Sequence, residues 1–383
     1  MIEKAFTGGK KYKTWLIFLL AIIAGGVYQY SIQLQEGLSI TGMSRDVSWG
    51  FYVANFTFFV GVAASAVMLV IPYYLHNYKK FSQLVIFGEW LAVGSVVMCV
   101  LFIMADMGQP QRALNILLHP TPNSILFWDV LVLFGYLFLN LTIAWVTLRT
   151  EKTRMEISKL VKFLILLSIP WAIAIHTVTA FLYAGLPGRH AWLTAIMAPR
   201  FLASAFAAGP ALLILLLMLV KKLTYYKPEK EAFATLGKIM LYGMLANIFF
   251  YLMEIFTAFY SNIPSHSHTF TYLFVGLDGY SKLVPYVWTS VVLGFSAVFM
   301  LLVPTIRTNH KALAVASLLI FISTYIDKGL ALVIGGFIPS TLETITEYTI
   351  TGPELAISAG IWAIGALVVT LAYRMTLNVR QNM

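Results

Sequence analysis

The chain has 383 residues, 60% of them hydrophobic and 15% aromatic, with only 11% charged and a formal charge of +10. A soluble domain carries about 25% charged residues, so most of this surface must meet lipid rather than water. A transmembrane β-barrel would show short alternating segments, whereas the apolar runs here are continuous and about 20 residues or longer, the length a helix needs to cross a bilayer. The expected fold is therefore all-α and polytopic. Ten spans are predicted, in chain order at 14–34, 49–75, 82–105, 124–147, 159–184, 197–220, 234–262, 284–306, 311–335 and 353–376. The connections are short, so the whole chain, 1–383, is read as one integral membrane domain. The first apolar run is long and lacks a small-residue cleavage site, so it is expected to be a retained helix rather than a signal peptide.

Basic residues give the orientation. Twenty of the 26 Lys and Arg lie at one set of span ends, among them Lys4, Lys10, Lys79, Arg149, Arg154, Lys222, Lys227, Arg307 and Arg380. The opposite ends hold only Arg45, Arg112, Arg189, Arg200 and Lys282, and Lys328 falls inside a span. Such a bias places the rich face in the cytoplasm and both termini with it, in the inner membrane of a prokaryote. It also accounts for the positive charge without nucleic acid.

A charge in hydrocarbon is costly, so an ionisable residue inside a span marks a functional candidate. The candidates are Glu89, Asp129, His176, Glu254, Asp327 and Lys328, with Asp106 and Arg200 at outer helix mouths. At a rise of about 1.5 Å per residue, Asp129 lies about 8 Å deep, Glu254 about 11 Å, His176 about 12 Å and Asp327 about 13 Å from the outer end. Glu89 lies about 24 Å from it, near the cytoplasmic side. Plain structural roles stand beside the functional ones. Asp129 suits a first-turn cap, and His176 and Glu254 suit hydrogen-bonded interior groups. Asp327 and Lys328 point about 100° apart on a helix, so each should find its partner on a neighbouring helix.

Redox metals are not expected. A haem between helices takes two facing histidines, and only His176 lies well inside a span; the single Cys99 cannot hold an iron–sulfur cluster. The loop pair His266-Ser267-His268 has two potential metal ligands but reads as a solvated loop. A secondary transporter is the competing class, since buried acids and a base could form an ion site. The helix interruptions Gly25-Gly26, Gly209-Pro210 and Gly335-Gly336 do not fall at matching places in two halves, which disfavours it. A passive anchor would not need ten spans.

Several strings carry a resemblance. Trp49-Gly50-Phe51-Tyr52-Val53-Ala54-Asn55-Phe56, running on through Phe59 to Ala64 and Ser65, is similar to the first core helix of the NrfD/PsrC-type membrane subunits of polysulfide reductase and its relatives. Asp106-Met107-Gly108-Gln109-Pro110-Gln111-Arg112 resembles the family's D-x-G-x-P-x-R loop, and His176 through Tyr183 to Gly188-Arg189, followed by Ala198-Pro199-Arg200-Phe201, matches as well. Within the family the ten-span pattern is most similar to the DsrP type, found in DsrMKJOP or Hdr-like menaquinol-oxidising complexes. The resemblance implies two four-helix bundles, 49–184 and 197–335, flanked by a first helix and connector (1–48) and a last helix and tail (353–383). It implies a menaquinone bound near the outer face, contacted by Asn55 and Tyr183. Beside them His176 and Asp106 offer a base and an acid for proton exchange, with Arg200 as the neighbouring cation, and complete the expected quinone site. It also implies an extracytoplasmic, ferredoxin-like iron–sulfur partner (DsrO-like), further DsrM-, DsrK- and DsrJ-like subunits, and a role in dissimilatory sulfur metabolism. Glu89, Asp129, Glu254, Asp327 and Lys328 then stand as candidates for a proton path.

Overall fold

The computed structural model describes residues 2–63, 66–153, 158–226 and 229–381. Of the residues used above, Ala64, Ser65, Arg154 and Lys227 lie outside these, as does the side chain of Lys4. Among the described residues ten helices are long and apolar enough to cross a membrane: α1 (Lys10–Ile40), α2 (Phe51–Leu75), α3 (Val85–Asp106), α4 (Ile125–Thr153), α5 (Lys159–Ala184), α6 (Met197–Leu223), α7 (Lys230–Tyr260), α8 (Val284–Leu302), α9 (His310–Phe337) and α10 (Gly352–Gln381). No β-strand occurs among the described residues. In hydrocarbon a backbone must satisfy its own hydrogen bonds, and the helix does so within one segment.

The predicted spans and the helices coincide with ends within six residues, and two of the ends have a visible local cause. Asn309 caps α9 by accepting from the Lys311 and Ala312 amides at 3.0 and 3.3 Å. The span expected to run to 306 stops at Leu302, because Pro304 opens a separate short helix, Pro304–Thr308. A further helix, Pro264–Phe274, follows α7 and is too short and polar to stand out by hydropathy. In α9 the turn widens to a π-helix over Tyr325–Ile334, the stretch that holds Asp327 and Lys328. Such stretches recur at functional sites.

The packing places α2 at the centre: 94% of its apolar window is buried, against 11% for α1. Around α2, successive contacts join α2 to α3, α3 to α4, α4 to α5 and α5 back to α2. The pairs α6–α7, α7–α8, α8–α9 and α9–α6 also touch, and α2 meets both α6 and α9. The helices α1 and α10 pack on each other and, through α10, on α3. Their backbones meet at Gly26 and Gly360, where a Cβ on Gly26 would stand 2.7 Å from the Gly360 Cα. Small residues let membrane helices approach this closely. At the basic face Lys80 pairs with Glu231, and Arg380 reaches Glu151 at 2.8 Å and the Gln83 carbonyl at 2.7 Å.

Candidate functional site

The predicted site residues fall into two groups on either side of the contact between α2, α6 and α9, the first spread along α2 to α5 and the second gathered around Arg200. In the first, Asn55 of α2 is fully buried. Its Nδ2 donates to the Phe51 carbonyl at 2.7 Å, while its Oδ1 accepts from Tyr325 Oη at 3.1 Å and Trp362 Nε1 at 2.9 Å. The amide thus ties α2 to α9 and α10 and keeps one N–H to spare. Tyr183 of α5 bonds Thr57 of α2 through a short O–H contact. Thr57 gives its own proton to the Val53 carbonyl at 2.8 Å, so Tyr183 is the donor and its phenol oxygen is left able to accept.

About two turns before Tyr183 on α5, His176 is completely buried. Its Nδ1 lies 2.7 Å from the Ala172 carbonyl, so that nitrogen carries the proton; the Gly61 backbone of α2 lies beside the ring, and Nε2 has no partner of full hydrogen-bond geometry. Asp129 of α4 accepts from Thr179 Oγ1 at 2.7 Å, joining α4 to α5 rather than capping a helix. At the last residue of α3, Asp106 has an inaccessible Oδ1 with no hydrogen-bond partner. Glu89, near the other end of α3, is 1% exposed and neither of its oxygens has a partner.

In the second cluster Arg200 of α6 is buried and grips two acids. Nη1 donates to Glu254 Oε2 of α7 at 2.5 Å and Nη2 to Asp327 Oδ1 of α9 at 2.6 Å. The guanidinium also lies 4.3 Å from the centre of the Tyr251 ring. Asn247 Nδ2 donates to the other Asp327 oxygen at 3.4 Å. Lys328 turns away from this triad. Its Nζ lies 4.1 Å from the centre of the Phe201 ring and donates to the Phe201 carbonyl at 3.4 Å, and a Cβ on Gly61 would stand 3.1 Å from it. Asp327 therefore finds its partners on α6 and α7 and Lys328 on α6, and the two do not pair with each other.

Two recesses open on the face opposite the basic one. The first, with a volume of about 310 Å³, is lined by Ser48, Trp49, Leu186, Pro187, Arg189 and Phe337. The second is a narrow cleft of about 20 Å³ lined by Trp192, Thr269, Arg200, Glu254 and Asp327. An aromatic wall separates them. Trp49 stacks on Trp192 with centroids 5.8 Å apart and meets Tyr183 edge-on at 5.5 Å. Trp192 itself is held by its Nε1 bond to the Leu332 carbonyl at 2.8 Å. Arg189 lies flat on Phe337, 4.4 Å from the ring centre, and donates to the carbonyls of Phe337 and Asp46 at 3.0 and 3.1 Å. Burial lowers its affinity for a proton, with Asp46 opposing, yet a guanidinium stays charged in any such setting.

On the same face Tyr348 accepts from the Phe51 amide at 2.9 Å and donates to Glu354 at the start of α10, through another short contact. Burial, followed by the Glu354 carboxylate, raises the Tyr348 phenol well above its ordinary value. Neutral partners such as Thr57, Thr179, Trp49, Trp192, Tyr251 and Asn247 were invisible to a search for charges in spans, because uncharged residues are common in any membrane helix. Trp49 and Thr179 had a signal, since both lie in strings that resemble the family. Among the described residues no group of three or more His, Cys, Asp or Glu side chains could hold a metal ion.

Residues 39–338 match the polysulphide reductase NrfD family. The chain belongs to that family. Over nearly its whole length it is similar to a Halobacterium salinarum protein named as a dimethyl sulfoxide reductase membrane subunit, with 26% identity over 94% of this chain and 90% of the relative. It is 24% identical to the menaquinone reductase integral membrane subunit of Nitratidesulfovibrio vulgaris, over 95% of this chain and 91% of the relative. It is also 24% identical to the Hdr-like menaquinol oxidoreductase integral membrane subunit of Archaeoglobus fulgidus, over 64% of this chain and 60% of the relative. This NrfD-family chain is a multi-pass membrane protein, and its relatives are named as membrane subunits of reductases and oxidoreductases.

Proposed function

We propose that the chain is the quinone-interacting subunit of a respiratory redox complex of the DsrP type in sulfur metabolism, exchanging electrons between menaquinol or menaquinone and an iron–sulfur partner. The single observation that carries this reading is the layering at one end of α2 to α5. An open recess is walled by Trp49, Trp49 lies against Tyr183, and elsewhere on the same four helices His176 Nε2 and Asp106 Oδ1 have no hydrogen-bond partner. A quinol hydroxyl needs an acceptor and a quinone carbonyl needs a donor. Unpartnered buried atoms of this kind are rare, because each costs about 1–3 kcal/mol. His176 Nε2 and the Tyr183 oxygen supply acceptors, Asp106 supplies a carboxyl that can take up or release a proton, and the Asn55 amide keeps an N–H. Aromatic rings around the recess suit a planar head group, and its isoprenoid tail would lie in lipid between helices.

In this reading the basic face is cytoplasmic, both termini lie there, and the DsrO-like iron–sulfur partner docks over the recess with DsrM-, DsrK- and DsrJ-like subunits in the same assembly. The two four-helix bundles divide the work. The α2–α5 bundle handles the quinone, while Glu89, Asp129, Glu254, Asp327 and Lys328 are the candidates for a proton path. One observation favours a second reading, an ion-coupled transporter: the other recess leads from the surface to a buried charge cluster.

Lipid extraction of the purified protein separates the two, with tightly bound menaquinone expected for the first and none for the second. Replacing His176 by Ala should lower quinol-dependent reduction of the partner by about tenfold or more, the usual scale for loss of a positioned proton acceptor, while the complex still assembles. Unchanged turnover would remove His176 from the site.

A further inference from the structure

The helix Pro264–Phe274 lies on the face opposite the basic one and carries His266 and His268. Two residues apart on a helix, their side chains leave about 200° from each other. His268 turns to the loop before α10, where its Nδ1 lies 2.8 Å from Glu343 Oε2. His266 turns the other way, to His190 in the turn between α5 and α6. The two imidazole centroids are 5.5 Å apart and their planes are inclined by 42°. Among the described residues, neither ring makes a hydrogen bond. His190 is exposed and His266 partly so. Both therefore reach solvent.

Ring nitrogens that share one tetrahedral ion at about 2.0–2.1 Å place their centroids about 5 Å apart. The observed spacing is close to that value. We propose that His190 and His266 bind a borderline divalent cation, Zn²⁺ or Cu²⁺, which bridges the α5–α6 turn to the Pro264–Phe274 helix with water completing its coordination. Imidazole suits these ions better than it suits Mg²⁺ or Ca²⁺. With two protein ligands instead of the four of a structural zinc site, the ion is exchangeable.

The position gives the site a consequence. Ala191 and Trp192 follow His190 directly, Thr269 and Phe270 follow His266 by about one turn, and all four line the recess that ends at Arg200, Glu254 and Asp327. A cation held by both histidines pins two walls of that passage together. Binding stands by itself, while any slowing of turnover rests on the quinone reading above.

The test is a Zn²⁺ titration of the full chain in detergent, purified without a polyhistidine tag, in competition with a chromophoric chelator. One equivalent should bind, weakened about tenfold or more in His190→Ala and in His266→Ala, since each removes one of two protein ligands. His268→Ala, which changes a neighbouring imidazole outside the pair, should leave the affinity within about twofold. Thermal unfolding of each variant confirms that it is folded. Zinc that binds both single variants as tightly as the parent, or that does not bind the parent, overturns the site. A chain that binds zinc through both histidines yet carries no quinone keeps this site and removes the quinone reading instead.

Discussion

The two buried clusters differ in how their polar atoms are satisfied. Around α2 to α5, Glu89, Asp106 and His176 each keep an atom with no hydrogen-bond partner. Across the α6–α9 side, Arg200 closes on Glu254 and Asp327 at 2.5 and 2.6 Å; among the described residues of this charge cluster Glu254 Oε1 and Asn247 Oδ1 are left over, with both ring nitrogens of His310 at the far end of α9. A charge in the membrane interior is held in place by its partners, so the second cluster depends on all its members together. The first has atoms to offer to something outside the chain. Lys328 stands at the border, with its ammonium against Phe201 of α6 on one side and Gly61 of α2 on the other.

Substitutions can break that comparison. The largest loss is expected for Arg200→Met, which strands two buried carboxylates and should cost about 3–5 kcal/mol, read as a fall in yield and thermal midpoint in detergent. Adding Glu254→Gln and Asp327→Asn to the same chain should restore part of it, because no unpaired charge then remains. A single Arg200→Met variant as stable as the parent would erase the distinction between the clusters.

A middle effect tests the wall between the recesses. A Cβ on Gly336 would stand 2.0 Å from Trp192 Nε1, so Gly336→Ala must displace the indole and its bond to Leu332. Overpacking of this kind costs about 1–3 kcal/mol, and tryptophan fluorescence should shift with it. An unchanged spectrum and midpoint would show that the wall yields freely. Glu89→Gln should be smallest, within about 1 kcal/mol of the parent, because no hydrogen bond is lost. A large drop there would mean that Glu89 has a partner and belongs with the paired cluster.

Several features were legible in the sequence. Ten spans, the basic face and the set of charges inside the membrane all follow from sums over short stretches, because hydropathy and Lys/Arg bias are local properties that lipid reads directly. Partnership was not. Arg200 meets Glu254 54 residues later and Asp327 127 residues later, and Asn55 meets Trp362 across 307 residues. Which neighbour a side chain faces depends on the rotation and crossing of whole helices, and those are set by the packing of many small contacts such as Gly26 on Gly360. Depth estimates placed Asp129, His176, Glu254 and Asp327 near one level, but only the tertiary structure decided that Asp129 would bond Thr179 and that Glu254 and Asp327 would share Arg200. The helix Pro264–Phe274 lay beyond the sequence signal for the same reason. Eleven residues ending in the short run Tyr272-Leu273-Phe274 carry no apolar run of span length, and the face that His266 turns to His190 exists only once the loops on either side are brought together.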